Sequence, residues 1–179
     1  EASSAYANVL YHFAKGIAFS YKKDRDNASK ELDLMREFMN DSSLNIPFTP
    51  FSPAIEGARV AEQILLGVIH ERRNLYDGAI RHFNMADSIE THMVYNEPRD
   101  WILNPKHYLG NAFLKAGQWK NAENTFKKDM LNNNENGWAL FGLYQALIGQ
   151  KKKTDADKVL ARFKKAFDKA DIKLDGAVF

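Results

Sequence analysis

Histidine and carboxylate side chains are the groups of this chain that could do chemistry, because the sequence contains no cysteine. The five histidines are His12, His70, His82, His92 and His107. No two of them have the HxxxH or HExxH spacing that chelates a metal on one helix. His70-Glu71 begins such a motif, but Arg72 and Arg73 follow and the second histidine is missing. The sequence therefore predicts neither a metal site nor a bound cofactor.

A pocket near Glu71, Asp100 and His107, with Glu97 as a further member, is the enzymatic or small-ligand alternative. Such a function needs at least two of these side chains to converge in a closed cavity. The chain lacks the GxGxxG and GxxxxGK[ST] strings of phosphate loops and the GxSxG string of serine elbows. We therefore predict that the chain is not an enzyme and keep the pocket as the alternative.

Small and aromatic residues recur at fixed spacing and define the elements that must position these side chains. The triples, spaced by twelve and then four residues, are Gly16, Ala28 and Leu32; Gly67, Ala79 and Phe83; and Gly110, Ala122 and Phe126. Glycine on the first helix of a hairpin allows the second helix to approach closely, and the alanine of the second helix faces that glycine. The third residue, one turn after the alanine, fills the space toward the next hairpin. The pattern predicts an all-α fold, an α-α superhelix of about four stacked helix hairpins.

The pattern resembles the tetratricopeptide repeat, a 34-residue helix hairpin. The copy at about 103–136 matches best, although Asp129 stands where the last alanine is expected. Further copies lie at about 9–42, 60–93 and 135–170, and Ala156 in the fourth arrives two residues late. We expect one solenoid domain over residues 1–179, closed by a C-terminal capping helix.

Two inserted loops interrupt the repeats. One runs from Asp41 to Pro53 and contains three prolines, which cannot continue a helix. The other runs from Tyr95 to Trp101, after which Asn104 can cap a helix that starts at Pro105.

A further resemblance covers Tyr95 to Leu147, which looks like the C-terminal part of a group of bacterial tetratricopeptide proteins of uncharacterised function. It implies that the chain is the C-terminal half of a longer protein. No run of 18 uncharged apolar residues occurs, so no membrane span is expected. We expect a soluble protein of the bacterial cytoplasm, with the periplasm as the alternative if a signal sequence precedes Glu1.

The first helices of tetratricopeptide hairpins line a concave groove that holds an extended peptide or a partner helix. The resemblance places these residues in it: Asn104, His107, Asn111 and Lys115 from the third repeat, Glu71 and Arg72 from the second, and Tyr21 from the first. Asparagine amides can both donate to and accept from a peptide backbone. We therefore predict a scaffold that binds a protein or peptide of unknown identity. The alternatives are a solvated strip, or one that is filled by another segment of the same chain.

The loop with Glu97, Asp100 and Trp101 is a second candidate binding site, because tryptophan is enriched at binding hot spots. The competing interpretation is that Trp101 packs between hairpins while Asp100 caps the following helix.

A basic stretch from Lys151 to Lys173 is the remaining candidate, as a weak nucleic-acid interface. From 151 to 175 nine lysines or arginines stand against five aspartates. Phe163 and Phe167 follow helix core spacing, which favours the solvated side of a last helix over a nucleic-acid interface. The sequence does not set the oligomeric state.

Overall fold

The computed structural model describes residues 4–46, 51–95, 101 and 103–178. They form eight α-helices and one 3-10 helix, which confirms the predicted all-α class. The helices are α1 (Ala5–Tyr21), α2 (Arg25–Met39), the 3-10 helix (Ser42–Asn45), α3 (Ala54–Glu71), α4 (Tyr76–His92), α5 (Pro105–Lys115), α6 (Trp119–Asn132), α7 (Gly137–Gly149) and α8 (Lys153–Ala166). In the part of the chain that is described, each helix is too short or too polar to cross a membrane.

The chain divides into two compact units, residues 1–105 and 106–179. In the first unit α1 packs against α2 and α3 packs against α4, and both α1 and α2 contact α3. In the second unit α6 and α8 pack against α7. Helices that follow one another in sequence are therefore packed as hairpins. The single domain over 1–179 stays a prediction.

Close helix approach explains why glycine recurs on the first helices. A Cβ atom on Gly67 would lie 2.3 Å from the ring of Phe83, and one on Gly110 would lie 2.4 Å from the ring of Phe126. The Phe126 ring also stands 2.2 Å from the position of a Cβ on Gly142. Phe126 therefore fills the space between its own hairpin and the next, as the repeat pattern predicts.

The turns of the four described hairpins share one backbone geometry. Each contains one residue with a left-handed backbone, and these residues are Lys23, Asn74, Gly117 and Lys151, with φ of 63°, 59°, 70° and 60°. The next residue donates its N–H to the carbonyl five positions earlier, as from Leu75 to His70 at 3.0 Å. These bonds satisfy carbonyl groups at the end of the first helix. The hairpins are thus copies of one structural unit.

The observed helices begin earlier than the predicted copies in the first unit. The first helix starts at Ala5 and the third at Ala54, ahead of the expected positions 9 and 60. The fifth helix starts at Pro105, directly after Asn104, as expected from the capping pattern. Four residues of the first predicted loop, 47–50, lie outside the described residues.

Candidate functional site

The third hairpin contains a histidine–carboxylate contact between its two helices. Nε2 of His107 lies 3.0 Å from Oδ2 of Asp129, whose side chain is fully buried. Asn133 donates from Nδ2 to Oδ1 of the same carboxylate at 2.6 Å. His107, a predicted groove residue, is therefore engaged within its own hairpin. The pair also explains Asp129, which replaces the expected last alanine of the repeat.

In each of the first two hairpins a hydrogen-bonded pair connects the two helices, and the pair lies at the same repeat position in both. Nδ1 of His12 lies 2.6 Å from Glu31, and Nδ1 of His82 lies 2.8 Å from Oε1 of Gln63. Each pair joins the residue four before the repeat glycine to the residue three after the repeat alanine. Sequence reasoning missed these pairs, although the 19-residue separation is the same in both.

The electrostatics of these pairs suit structural roles. Nζ of Lys15 lies 2.6 Å from the second oxygen of Glu31. Burial raises the pKa of Glu31, but hydrogen bonds from Lys15 and His12 outweigh it, and the pKa lies below its ordinary value. Burial lowers the pKa of His82, and the neighbouring His70 lowers it further. At neutral pH an ionised carboxylate and a neutral imidazole therefore hold the two hairpins.

The C-terminal segment lies over Asn111, one of the four residues of the predicted third-repeat strip. Asn111 is buried, and a Cβ atom on Gly176 would lie 3.2 Å from its Oδ1. The next residue, Ala177, is 1% exposed and belongs to the hydrophobic core that includes Leu114 and Leu140. A segment of the same chain thus occupies this part of the strip, which is one of the alternatives considered above.

The other predicted groove residues differ in exposure. Tyr21 is exposed, and the guanidinium carbon of Arg72 lies 5.2 Å from the centre of its ring. Glu71 is buried beside this pair; burial and Glu71 together raise the pKa of the Tyr21 hydroxyl. Lys115 is exposed at the end of α5, and Asn104 is half-buried before its start. The first unit therefore presents a cation stacked on an aromatic ring.

Arg72 also borders a cavity of about 50 Å³ between the α1–α2 turn and the end of α3. Four of the residues that line it are cationic, and we call this space the Arg72 cavity: Lys23, Arg25, Arg72 and Arg73. Nε of Arg72 is buried and donates to no acceptor within the described residues. The cavity is far smaller than the roughly 300–1,000 Å³ typical of small-molecule sites.

A second group of cations surrounds a carboxylate in the second unit. Lys127, Lys152 and Lys120 place Nζ at 2.6, 2.9 and 3.3 Å from the carboxylate oxygens of Glu123. Gln150 donates from Nε2 to the same carboxylate at 2.9 Å. Burial raises the pKa of Glu123, but these donors outweigh it and hold the pKa far below its ordinary value. We call these five residues the Glu123 cluster.

The predicted nucleic-acid stretch is partly neutralised by carboxylates. Lys152 belongs to the Glu123 cluster, and Arg162 forms an ion pair with Glu135. The rings of Phe163 and Phe167 lie 5.0 Å apart, as expected from their helix core spacing. Nucleic-acid binding stays a prediction, with fewer free cations than the sequence count indicates.

Trp101 packs against α1. It is 6% exposed, and its ring lies 5.5 Å from that of Phe13 at an angle of 70°. Glu97 and Asp100, its partners in the predicted loop site, lie outside the described residues. Asp100 and Glu97 are also members of the predicted pocket, so that pocket includes residues outside the described ranges. Its member His107 is bound to Asp129.

Within the described ranges, no group of three or more histidines, aspartates and glutamates is arranged to hold a metal ion. A comparison with protein-family models finds none that matches this chain, and a comparison with curated proteins finds no match either.

Proposed function

We propose that this chain is a protein-binding scaffold with tetratricopeptide-like repeats, which holds an extended peptide on the first helices of its hairpins. The C-terminal segment is the observation that carries the proposal. Residues 170–178 follow α8 without further helix, and Ala177 is buried in the core of the second unit. Its neighbour Gly176 lies against Asn111. A non-helical segment of the chain thus lies against Asn111, a residue that the family resemblance assigns to a groove.

Small side chains allow this contact. Glycine has no Cβ and lets the backbone of the segment approach Asn111, while the methyl group of Ala177 fills the space among apolar side chains. The amide of Asn111 can donate to and accept from a peptide backbone. An incoming peptide of similar small residues could use the same contacts.

The two other candidate functions have less support. His107 is bonded across its hairpin to the buried Asp129, which supports a structural role. Nucleic-acid binding would have to compete with Glu123 and Glu135 for Lys152 and Arg162. Neither has an observation of its own that favours it.

The test is to free the strip and offer the segment as a separate peptide. Ala177→Asp places a charge in the core position and should displace the C-terminal segment. A labelled peptide of residues 170–179 is then titrated against the 179-residue variant by fluorescence anisotropy. We expect saturable binding to Ala177→Asp. Binding to the wild type should be much weaker, because a tethered segment competes at millimolar effective concentration.

Ala170→Asp is the matched control, since Ala170 is exposed and should leave the segment in place. This variant should bind the peptide as weakly as the wild type. If Ala177→Asp keeps its helical circular dichroism but binds no peptide, the segment is only a cap and the proposal is wrong.

A further inference from the structure

The Arg72 cavity gathers positive charge without a carboxylate among its lining residues. Its cations come from two hairpins of the first unit: Lys23 and Arg25 from the first, Arg72 and Arg73 from the end of α3. Ala28 and Ile69 supply the apolar part of its wall. Like charges this close repel one another, so an anion in the cavity would stabilise the arrangement.

The donors of this cavity are unused within the described residues. Nε of Arg72 is buried without an acceptor. The salt bridges found there leave Lys23, Arg25 and Arg73 without a carboxylate partner. A buried N–H that lacks an acceptor is rare in folded proteins and indicates a missing partner. That partner must be an acceptor, because arginine and lysine offer only donors.

The acids nearest to the cavity have other partners or positions. Asp24 caps α2, where its carboxylate accepts from the backbone N–H and the side-chain amide of Asn27. Glu71 is buried and acts on the hydroxyl of Tyr21. Neither lines the cavity.

We propose that the Arg72 cavity binds the carboxylate of an acidic side chain in a peptide ligand. A carboxylate presents two acceptor oxygens, which match the fork of donors on a guanidinium. The volume of about 50 Å³ has room for a small group such as a carboxylate. The stacked Tyr21 ring holds the Arg72 guanidinium in place.

The helix ends around the cavity oppose an anion. The cavity lies at the C-terminal ends of α1 and α3, where the helix dipole is negative. Only the start of α2 contributes a positive helix end, and Asp24 already caps it. The cationic side chains must therefore outweigh two unfavourable dipoles as well as the desolvation cost of the ligand, and that cost rises with the square of the charge, which favours a monoanion over a phosphate dianion.

The source of the carboxylate rests on the proposed peptide-binding function, whereas the anion site itself can be tested without a peptide. Acetate serves as the probe for a carboxylate and inorganic phosphate as the probe for a phosphate. Each is added to the 179-residue protein at constant ionic strength, with chloride as the reference anion. The readout is the ¹H–¹⁵N resonance of Arg72 Nε, which reports the orphan donor directly.

We expect a saturable shift of that resonance with acetate, a weaker response to phosphate and none to chloride. Arg25→Gln should weaken acetate binding by roughly tenfold, as expected for the loss of one charged hydrogen-bond donor. Arg81→Gln, which removes an exposed arginine of α4, should bind acetate like the wild type. Arg72→Gln lacks the Nε resonance, so acetate binding to this variant is measured by thermal stabilisation instead. We expect acetate not to stabilise it.

Equal, non-saturating responses to acetate and chloride would overturn the anion site. Tighter binding of phosphate than acetate would overturn the carboxylate assignment in favour of a phosphate ligand. Both outcomes are independent of the Ala177→Asp experiment, so failure of the site and failure of the peptide scaffold are distinguished.

Discussion

The two units have different residues at one equivalent position, the first residue of the second helix of a hairpin. Arg25 and Trp119 are the first residues of α2 and α6, and each lies three residues before the repeat alanine. Arg25 borders the Arg72 cavity. Trp119 closes the corresponding space, since a Cβ on Gly149 of α7 would lie 2.4 Å from its ring. Gln150 adds a hydrogen bond to the Trp119 carbonyl at 3.3 Å.

The two regions also differ in whether a carboxylate lies among their cations. The Glu123 cluster contains its own buried carboxylate, whereas no carboxylate lines the Arg72 cavity. Cations that are paired with a carboxylate of the chain stabilise the fold, and their hydrogen-bond donors are already used. Cations that lack such a carboxylate can donate to an anionic ligand instead. A structural cluster in the second unit is thus distinguished from a candidate binding site in the first.

Removal of the internal anion should have the largest effect on this comparison. Glu123→Gln leaves three lysines without a counter-charge and a neutral amide in a buried position. Because those lysines are 39–64% exposed, the loss falls below that of a fully buried pair. We expect the free energy of unfolding in urea to fall by about 2–3 kcal/mol. The control Asp155→Asn, at an exposed pair, should change it by less than about 0.5 kcal/mol.

The effect of Glu123 should also depend on pH. Its pKa in the fold lies below the ordinary value of 4.5, so the ionised form is favoured by folding. The stabilisation is therefore complete above that value and is lost as the pH falls toward the folded-state pKa. The stability difference between wild type and Glu123→Gln should shrink in acid. A difference that stays constant down to acidic pH would show that packing, not charge, is responsible.

Exchange of the residues at the shared position should convert one region into the other. Trp119→Arg removes the ring packed on Gly149, and we expect a loss of roughly 2 kcal/mol, below the value for a fully buried tryptophan. Arg25→Trp should fill the Arg72 cavity and abolish the acetate response of the Arg72 Nε resonance. An unchanged acetate response in folded Arg25→Trp would contradict the assigned location.

The hairpin turns should respond alike in both units, because their backbones are the same. Gly117→Ala places a Cβ on a left-handed residue and should cost about 1 kcal/mol of unfolding free energy. Lys23→Gly and Lys151→Gly relieve the same strain and should each add about 0.5 kcal/mol. Thermal denaturation of the three variants measures both the expected loss and the expected gains in unfolding free energy. Opposite effects of the two lysine substitutions would show that the turns are not equivalent.

The hairpins could be predicted from sequence because backbone approach depends on one residue type. Gly67 and Gly110 had to be glycine for the Phe83 and Phe126 rings to fit, and such a requirement is visible in spacing alone. The late fourth repeat is explained similarly: Lys151 takes the left-handed position nine residues after Gly142, whereas Gly117 takes it seven after Gly110.

The candidate site could be predicted only in part. Tyr21 and Arg72 were selected separately, as members of two repeats, and their stacking depends on how two hairpins pack. The Arg72 cavity has no motif, since its cations come from two separate turns. His107 was assigned to the groove because repeat register gives a helix face but not the partner across the hairpin. Asp129 supplied that partner, and its departure from the repeat pattern was the available signal.

One aromatic ring has a consequence for how the second unit unfolds. Phe126 is fully buried and touches both Gly110 of its own hairpin and Gly142 of the next. Neither α5 nor α7 can separate from α6 without exposing a face of that ring to water. The third and fourth hairpins therefore share an interface term in their folding, and we expect their backbone amides to exchange with solvent in one cooperative opening rather than hairpin by hairpin.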